Sequence, residues 1–197
     1  MSLEQSVKSQ FEKRFSASDW ELFKEMAEAS LSEAAFLKKA DFKRVPDRNK
    51  LLARNSRKRL LIGIGTELLL KAIYLKNGYC INMPQDGSCG LKFPFTHAEA
   101  AGLPLKPDNT YMLAQLIDSV KRFVSPPNRA VVTDGLKVAK VFRNKEGHVV
   151  TSFHRYDRQS FRAIEKALVA LYADAFQKPL TIHFSMEPKE KAEFSTI

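Results

Sequence analysis

An arginine, an asparagine and a histidine stand close together late in the chain, at Arg143, Asn144 and His148. Histidine exchanges a proton near neutral pH, which suits it to general acid–base catalysis. Arginine carries a permanent charge and a planar fork of donors that binds phosphate oxygens. Asparagine can hold a substrate or an imidazole ring by hydrogen bonds. Together the three residue types are suited to metal-independent chemistry on a phosphate group.

A second charged pair stands in the middle of the chain. Glu67 and Lys71 are four residues apart, the spacing of an ion pair on one helix face. They lie in residues 60–75, a segment so apolar that it predicts a helix buried on all sides. Gly63 and Gly65 each weaken a helix by about 1 kcal/mol relative to alanine, so we expect close packing at both. For the charged pair itself we favour a structural role.

The charge of the chain is strongly positive, with a formal value of +10 and a pI near 9.6. Such a balance favours polyanionic partners, nucleic acid above all. Residues 43–59 hold eight bases against the single acid Asp47 and lead directly into the apolar helix. This charge run predicts a phosphate-facing surface, although a solvated face is the alternative. The bases that we assign to RNA binding are Arg54, Arg57, Lys58 and Lys145.

Metal sites and membrane spans have no support in the sequence. Cys80 and Cys89 lack partners at the spacing of a zinc site, and we expect no cofactor. The first residues are polar, unlike a signal peptide. The most apolar window is interrupted by Glu67 and Lys71, so we expect no membrane span. These features predict a cytoplasmic protein.

Apolar residues recur at helical spacing in most of the chain, which predicts an all-α helical bundle. The predicted helical ranges are 3–40, 47–76, 108–124 and 157–177. Ser18 and Glu21 have the spacing of a capping box, and Asp108 is a good cap for the third range. Prolines and glycines predict a long irregular loop over 79–107. The domains follow as N-terminal accessory helices (1–45), a helical core (46–178) and a C-terminal tail (179–197).

Residues 128–147 allow two structures. A helix that ends at Gly147 is one, and a hairpin with strands 137–143 and 148–154 is the other. We favour the helix, because helical segments flank this region. On a straight helix Arg143 and His148 would be about 140° apart, but an end at Gly147 lets His148 turn back. Residues 180–185 also allow a short strand.

The pattern Arg143-Asn144-x-x-x-His148, late in a helical bundle, resembles the signature of the HEPN family. The segment from Gly65 to Lys71, with Glu67 and Lys71 four apart, is similar to a Glu-x-x-x-Lys helix common in that family. The resemblance covers residues 50–177 and does not include the N-terminal helices. The order and separation of the two motifs make the match more specific than either motif alone.

This resemblance implies a domain that often dimerises, so that arginine and histidine of both subunits meet in one cleft. Many members are metal-independent ribonucleases that act as toxins or in defence against phage, and others are silent RNA-binding or protein-binding modules. Toxins silenced by a partner nucleotidyltransferase often carry a tyrosine two residues after the histidine, where this chain has Val150. That departure weakens the case for this particular antitoxin.

Three functions follow, in order of preference. The first is an endoribonuclease in which Arg143, Asn144 and His148 form the site. The second is a catalytically silent module of the same type that binds RNA or a protein. The third, a basic helical protein that binds DNA, rests on charge alone.

Overall fold

The computed structural model describes residues 2–37, 48–85, 90–146 and 158–184. They fold mainly into α-helices, as the sequence periodicity predicts, with one small antiparallel ribbon. No helix in these residues is long and apolar enough to cross a membrane. The elements are α1 (Leu3–Phe11), α2 (Trp20–Phe36), α3 (Arg48–Lys76), β1 (Asn82–Pro84), β2 (Leu105–Thr110), α4 (Leu113–Ser119), α5 (Arg129–Glu146) and α6 (Arg158–Phe176).

Helix α3 is the centre of the bundle, and it begins within one residue of the predicted range 47–76. Its second half is buried, with Ile62, Leu69 and Ile73 fully enclosed. Both α2 and α5 pack along it. The prediction of a buried central helix is therefore confirmed.

Two glycines allow α2 and α5 to approach α3 closely. A Cβ atom on Gly63 would lie 2.8 Å from Arg143 Cα in α5, and one on Gly65 would lie 2.8 Å from Leu31 Cγ in α2. Residues two apart on a helix differ by about 200° in direction, so α2 and α5 lie on opposite sides of α3. The expected close packing at both glycines is confirmed.

Helix α5 pairs with α6. The Phe142 ring near the end of α5 lies 5.5 Å from the Phe161 ring near the start of α6. Gly135, earlier in α5, meets Ala163 and Ala167 further along α6, so the two helices run in opposite directions. The helical interpretation of residues 128–147 is confirmed over Arg129–Glu146, and the alternative first strand over 137–143 is wrong; Gly147 lies outside the described residues. The other strand, 148–154, lies outside the described residues.

Helix α2 belongs to the same core as α3, because its inner face buries Phe23, Ala27 and Leu31. Its start differs from the prediction. A 3-10 turn precedes it, and the carboxylate of Asp19 accepts from Ser16 N at 2.7 Å. The capping box predicted at Ser18 is therefore wrong, since Asp19 closes the turn earlier in the chain. The predicted boundary between residues 45 and 46 lies outside the described residues.

The third predicted helix starts later than expected. Residues 105–110 form β2, which pairs with β1, and Tyr111 N donates to Ile81 O at 2.9 Å. Helix α4 begins only at Leu113, so the cap predicted at Asp108 is wrong. Pro107 favours an extended backbone at the residue before it, and the ribbon overrides the helical periodicity there. The apolar side of α4 still faces the core, as predicted, through Leu113, Leu116 and Ile117.

The last described residues, 179–184, form no strand, so the strand predicted over 180–185 is not observed in them. Side chains of the bundle hold this segment instead. Phe184 N donates to Glu165 Oε2 at 2.8 Å, and Lys58 Nζ donates to Phe184 O at 2.6 Å. Extended chain is stabilised here by side-chain contacts from two helices and not by a neighbouring strand.

Candidate functional site

Arg143 lies in the last turns of α5, where that helix crosses α3. Its backbone presses on Gly63, and its side chain remains 38% exposed. The neighbouring Phe142 is fully buried against α6, whereas Asn144 and Lys145 are exposed. The backbone of Arg143 is therefore fixed by packing on both sides of α5, while its guanidinium reaches the surface.

The carboxylate of Glu67 joins the two motifs. Its Oε1 accepts a hydrogen bond from Lys71 Nζ at 2.8 Å, and its Oε2 lies 3.4 Å from Arg143 Nε. The side chains of Glu67 and Lys71 are only 17% and 11% exposed. The predicted helical ion pair between Glu67 and Lys71 is observed, and Arg143 is a third member that the sequence did not indicate. We call Glu67, Lys71 and Arg143 the ion triad.

The ion triad carries one negative and two positive charges, a net charge of +1. A guanidinium has five N–H donors, so Arg143 can use Nε toward Glu67 and still bind an anion through its Nη atoms. The C-terminus of a helix carries about half a negative charge, which repels anions. Arg143 and Lys145 in the last turn of α5 offset that repulsion. The arrangement can bind one phosphate group at the surface.

His148, the predicted proton-transfer residue, lies outside the described residues. Helix α5 continues through Glu146, two residues before His148 in the sequence. Asn144 and Lys145 are on the exposed part of the last turn, next to Arg143 in sequence. The structure thus places Arg143, Asn144 and Lys145 together in the last turn of α5.

The bases predicted to bind RNA on α3 have different surroundings. Lys58 is only 7% exposed, and its ammonium donates to Leu37 O at 3.1 Å and to Phe184 O at 2.6 Å. It therefore anchors two chain segments to α3, which corrects its assignment as a surface phosphate contact. A buried ammonium that holds two carbonyl oxygens is not available to a phosphate.

Arg57 and Arg54 lie nearer the surface. The Arg57 side chain is 64% exposed and pairs with Glu33 of α2. Arg54 is half-buried, and its Nε has no hydrogen-bond partner among the described residues. Arg57 therefore reaches toward α2, which lies on the side of α3 opposite Arg143. The structure does not bring these two arginines together with the ion triad.

Two histidines, His97 and His183, lie within the described residues. Burial lowers the pKa of His97, whose backbone N–H donates to Gly78 O at 3.0 Å. His183 Nδ1 lies 3.2 Å from Glu165 Oε1, beside the C-terminal segment. Within the same part of the chain, no group of three or more His, Cys, Asp or Glu side chains could hold a metal ion.

A sequence signal for the ion triad exists in retrospect. Gly63, Glu67 and Lys71 follow each other at intervals of four and so share one face of α3. A glycine on the face of a charged pair indicates that another backbone lies directly against that pair. The signal predicts a close helix crossing there but does not identify α5 as the partner.

Comparison of the chain with protein-family models, with curated proteins and with solved structures gave no match.

Proposed function

We propose that this protein is a metal-independent endoribonuclease of the HEPN type, a cytoplasmic toxin or phage-defence protein. RNA supplies its own nucleophile, the 2′-hydroxyl, which attacks the adjacent phosphorus while the 5′-oxygen leaves. His148 accepts the proton of the attacking 2′-hydroxyl and donates a proton to the departing 5′-oxygen. Arg143 stabilises the charge that builds on the phosphate oxygens. The products are a 2′,3′-cyclic phosphate and a 5′-hydroxyl.

One observation carries the proposal: the ion triad joins two motifs that are more than seventy residues apart in the chain. The resemblance rests on Arg143-Asn144 with His148 and, separately, on Glu67 with Lys71. The Arg143–Glu67 contact puts both motifs into one cluster. This convergence on one surface supports a shared function for the two motifs.

The surroundings of Arg143 suit electrostatic catalysis. Its backbone is held against Gly63 and its Nε faces Glu67, so the guanidinium is oriented before the substrate arrives. A preoriented donor stabilises the transition state without reorganising during the reaction. Glu67 contributes to this orientation without contacting the substrate. We include Asn144 as a hydrogen-bonding residue of the same site.

A homodimer is part of the proposal, as the resemblance implies. One Arg143 and one His148 supply few donors for a pentacoordinate phosphate, and a second copy doubles them. A two-fold axis near the end of α5 would bring the same patch of both subunits together. An antitoxin or defence partner is also proposed, but no contact in the described residues identifies it.

The test is cleavage of a short synthetic RNA by the full chain, with separation of the products. We expect 2′,3′-cyclic phosphate ends, no effect of a chelator, and no cleavage of RNA carrying a 2′-deoxy sugar at the scissile position. Arg143→Ala and His148→Ala should each lower the rate by about 10²- to 10⁴-fold. Lys137→Ala removes an exposed base of the same helix and is the matched control.

Undiminished cleavage by His148→Ala would overturn the catalytic assignment, as would a requirement for a divalent cation. A circular dichroism spectrum of each variant must match that of the wild type, so that a loss of rate is not a loss of fold.

The second candidate is a catalytically silent module that binds RNA or a protein. It is favoured by Glu67 itself, because a carboxylate beside Arg143 takes part of the charge that a substrate phosphate would use. This candidate predicts no cleavage of any RNA by the wild type. It predicts binding that weakens with salt, with a slope of about 0.7 to 0.9 for each phosphate contact.

A further inference from the structure

A groove of about 400 Å³ lies on the surface between α5 and α6. Its floor is made of small residues, because Gly135 of α5 lies directly against Ala163 and Ala167 of α6. Two helices that approach this closely leave a groove between the longer side chains on their outer faces. The side chains of Gln159 and Arg162 at its edge are exposed, so the groove is open to solvent. We call it the α5–α6 groove.

The α6 wall of this groove carries two positive charges that no acid offsets. Arg162 and Lys166 are exposed and stand four residues apart, so they lie on one face of α6. Within the part of the chain that the structure describes, neither side chain forms a hydrogen bond or an ion pair. By contrast, Lys24 of α2 is paired with Glu28 at 2.7 Å. The two bases in the groove are therefore available to an anion.

The α5–α6 groove leads toward the candidate functional site. The two helices run in opposite directions, so Gln159 at the start of α6 lies beside the end of α5. Lys145 is eleven residues beyond Asp134, which lines the groove, and eleven residues are about three helical turns. Lys145 therefore lies on the groove side of α5, two residues after Arg143. A strand bound at Arg143 and Lys145 can continue past Gln159 into the groove.

We infer that the α5–α6 groove binds single-stranded RNA, with Arg162 and Lys166 in contact with its phosphate groups. A positively charged groove that follows the phosphate backbone is a common feature of proteins that bind single-stranded nucleic acid. Val131 and Ala163 offer apolar surface to the nucleobases beside these phosphates. The inference rests on the proposed function for its choice of RNA, and it extends that function by naming the path of the strand beyond the candidate site.

The other lining residues favour RNA over an acidic protein segment. Asp134 on the α5 wall would repel acidic side chains, whereas the amino group of a nucleobase can donate a hydrogen bond to a carboxylate. Gln159 offers both a donor and an acceptor to the edge of a nucleobase. A groove between two adjacent helices admits a flexible strand, but a rigid duplex would contact only its edges.

The test is binding of a fluorescent 2′-O-methyl RNA to the full chain, measured by anisotropy at several salt concentrations. This RNA lacks the 2′-hydroxyl nucleophile, so binding is measured without cleavage. Arg162→Ala and Lys166→Ala should each weaken binding and reduce the slope of log affinity against log salt by about 0.7, and the double variant by about 1.4. Lys137→Ala is the matched control and should leave the slope unchanged, because this exposed base of α5 points about 200° away from Gly135.

No binding by the wild type, or an unchanged slope in the double variant, would overturn the inference. An equal loss in Lys137→Ala would do the same, because the groove would then contribute no specific contact. A polyglutamate peptide or a DNA duplex that competes more strongly than unlabelled RNA would assign the groove to that ligand instead.

Cleavage of unmodified RNA by the wild type is measured separately, so that the two proposals can fail independently. Binding that depends on Arg162 and Lys166, without cleavage of any RNA, supports the inference and contradicts the proposed ribonuclease function. Cleavage together with binding that does not depend on these two residues supports the proposed function and overturns the inference.

Discussion

The two sides of α3 both have a glycine at a close helix crossing, but the side chains around the two crossings differ. On each side a glycine lets a neighbouring helix approach closely, through Gly63 toward α5 and through Gly65 toward α2. The α2 side is filled with apolar side chains such as Leu31 and Ala27, which are fully buried. The α5 side places Glu67 and Arg143 at the crossing. Both sides bury apolar side chains, and the α5 side also orients charges near the surface.

Removal of a core side chain on the α2 side should have the largest effect on stability. Leu31 is fully buried, and Leu31→Ala should lower the free energy of unfolding by about 2–5 kcal/mol. Val141→Ala on α5 is the control, because Val141 is 43% exposed and should cost less than about 0.5 kcal/mol. Urea denaturation followed by circular dichroism measures both. Similar losses for the two variants would contradict the packing described for α2.

Addition of a methyl group to each glycine compares the two sides directly. At Gly63 the new Cβ would lie 2.7–2.9 Å from the Cβ, Cα and N atoms of Arg143, which cannot move without α5. At Gly65 it would lie 2.8–2.9 Å from the Leu31 side chain and 3.3 Å from Ala27 O, so its closest contacts are with a side chain and not with backbone. Overpacking costs about 1–3 kcal/mol, and alanine returns about 1 kcal/mol as a better helix former.

We therefore expect Gly63→Ala to destabilise the protein by up to about 2 kcal/mol, and Gly65→Ala to destabilise it less. The Gly63 variant should also slow RNA cleavage, because the added methyl group would push α5 outward and move Arg143 away from Glu67. Thermal unfolding and a cleavage assay on the same samples check both statements. Equal effects at the two positions would remove the distinction between the sides.

The helical core followed from the sequence because its apolar residues recur with helical periodicity, as in residues 47–76 and 157–177. Other parts of the prediction failed where a contact with a distant segment decided the local structure. Asp108 has the residue type of a helix cap, but residues 105–110 form β2 and pair with β1 instead. Lys58 stood in a run of surface-like bases, yet two carbonyl oxygens from distant segments make its burial favourable. Contacts of this kind depend on chain segments that a local pattern does not contain.

The candidate site was predicted in part for the same reason. The residue types of Arg143, Asn144 and His148 suggested chemistry on phosphate, and this prediction remains to be tested. The spacing of Glu67 and Lys71 gave the helical ion pair, which the structure confirms. The contact between Glu67 and Arg143 joins different helices, so no spacing within either helix could reveal it.

Neutralisation of Glu67 should separate orientation from charge on the α5 side. Glu67→Gln raises the net charge of the ion triad from +1 to +2, because one negative charge is lost. We expect tighter RNA binding but slower cleavage, since Arg143 loses the partner that orients it. The cost in stability should be about 1–2 kcal/mol, because Lys71 is left partly buried without its carboxylate.

The double variant Glu67→Gln with Lys71→Met returns the net charge to +1 without restoring the orientation of Arg143. It should bind RNA like the wild type and still cleave slowly, as measured by filter binding and single-turnover kinetics. Recovery of the cleavage rate in the double variant would show that charge alone matters, and the orienting role of Glu67 would be wrong.

The smallest expected effect concerns Arg57, on the α2 side. If this exposed arginine contacts RNA, Arg57→Ala should reduce the slope of log affinity against log salt by about 0.7 to 0.9, the value for one lost phosphate contact. A variant of the Arg57 partner should have the opposite effect. Glu33→Gln removes the negative charge that pairs with Arg57 and should strengthen RNA binding slightly. Binding isotherms at several salt concentrations measure both changes. An unchanged slope in Arg57→Ala would remove Arg57 from the RNA-binding surface and leave its contact with Glu33 a structural one.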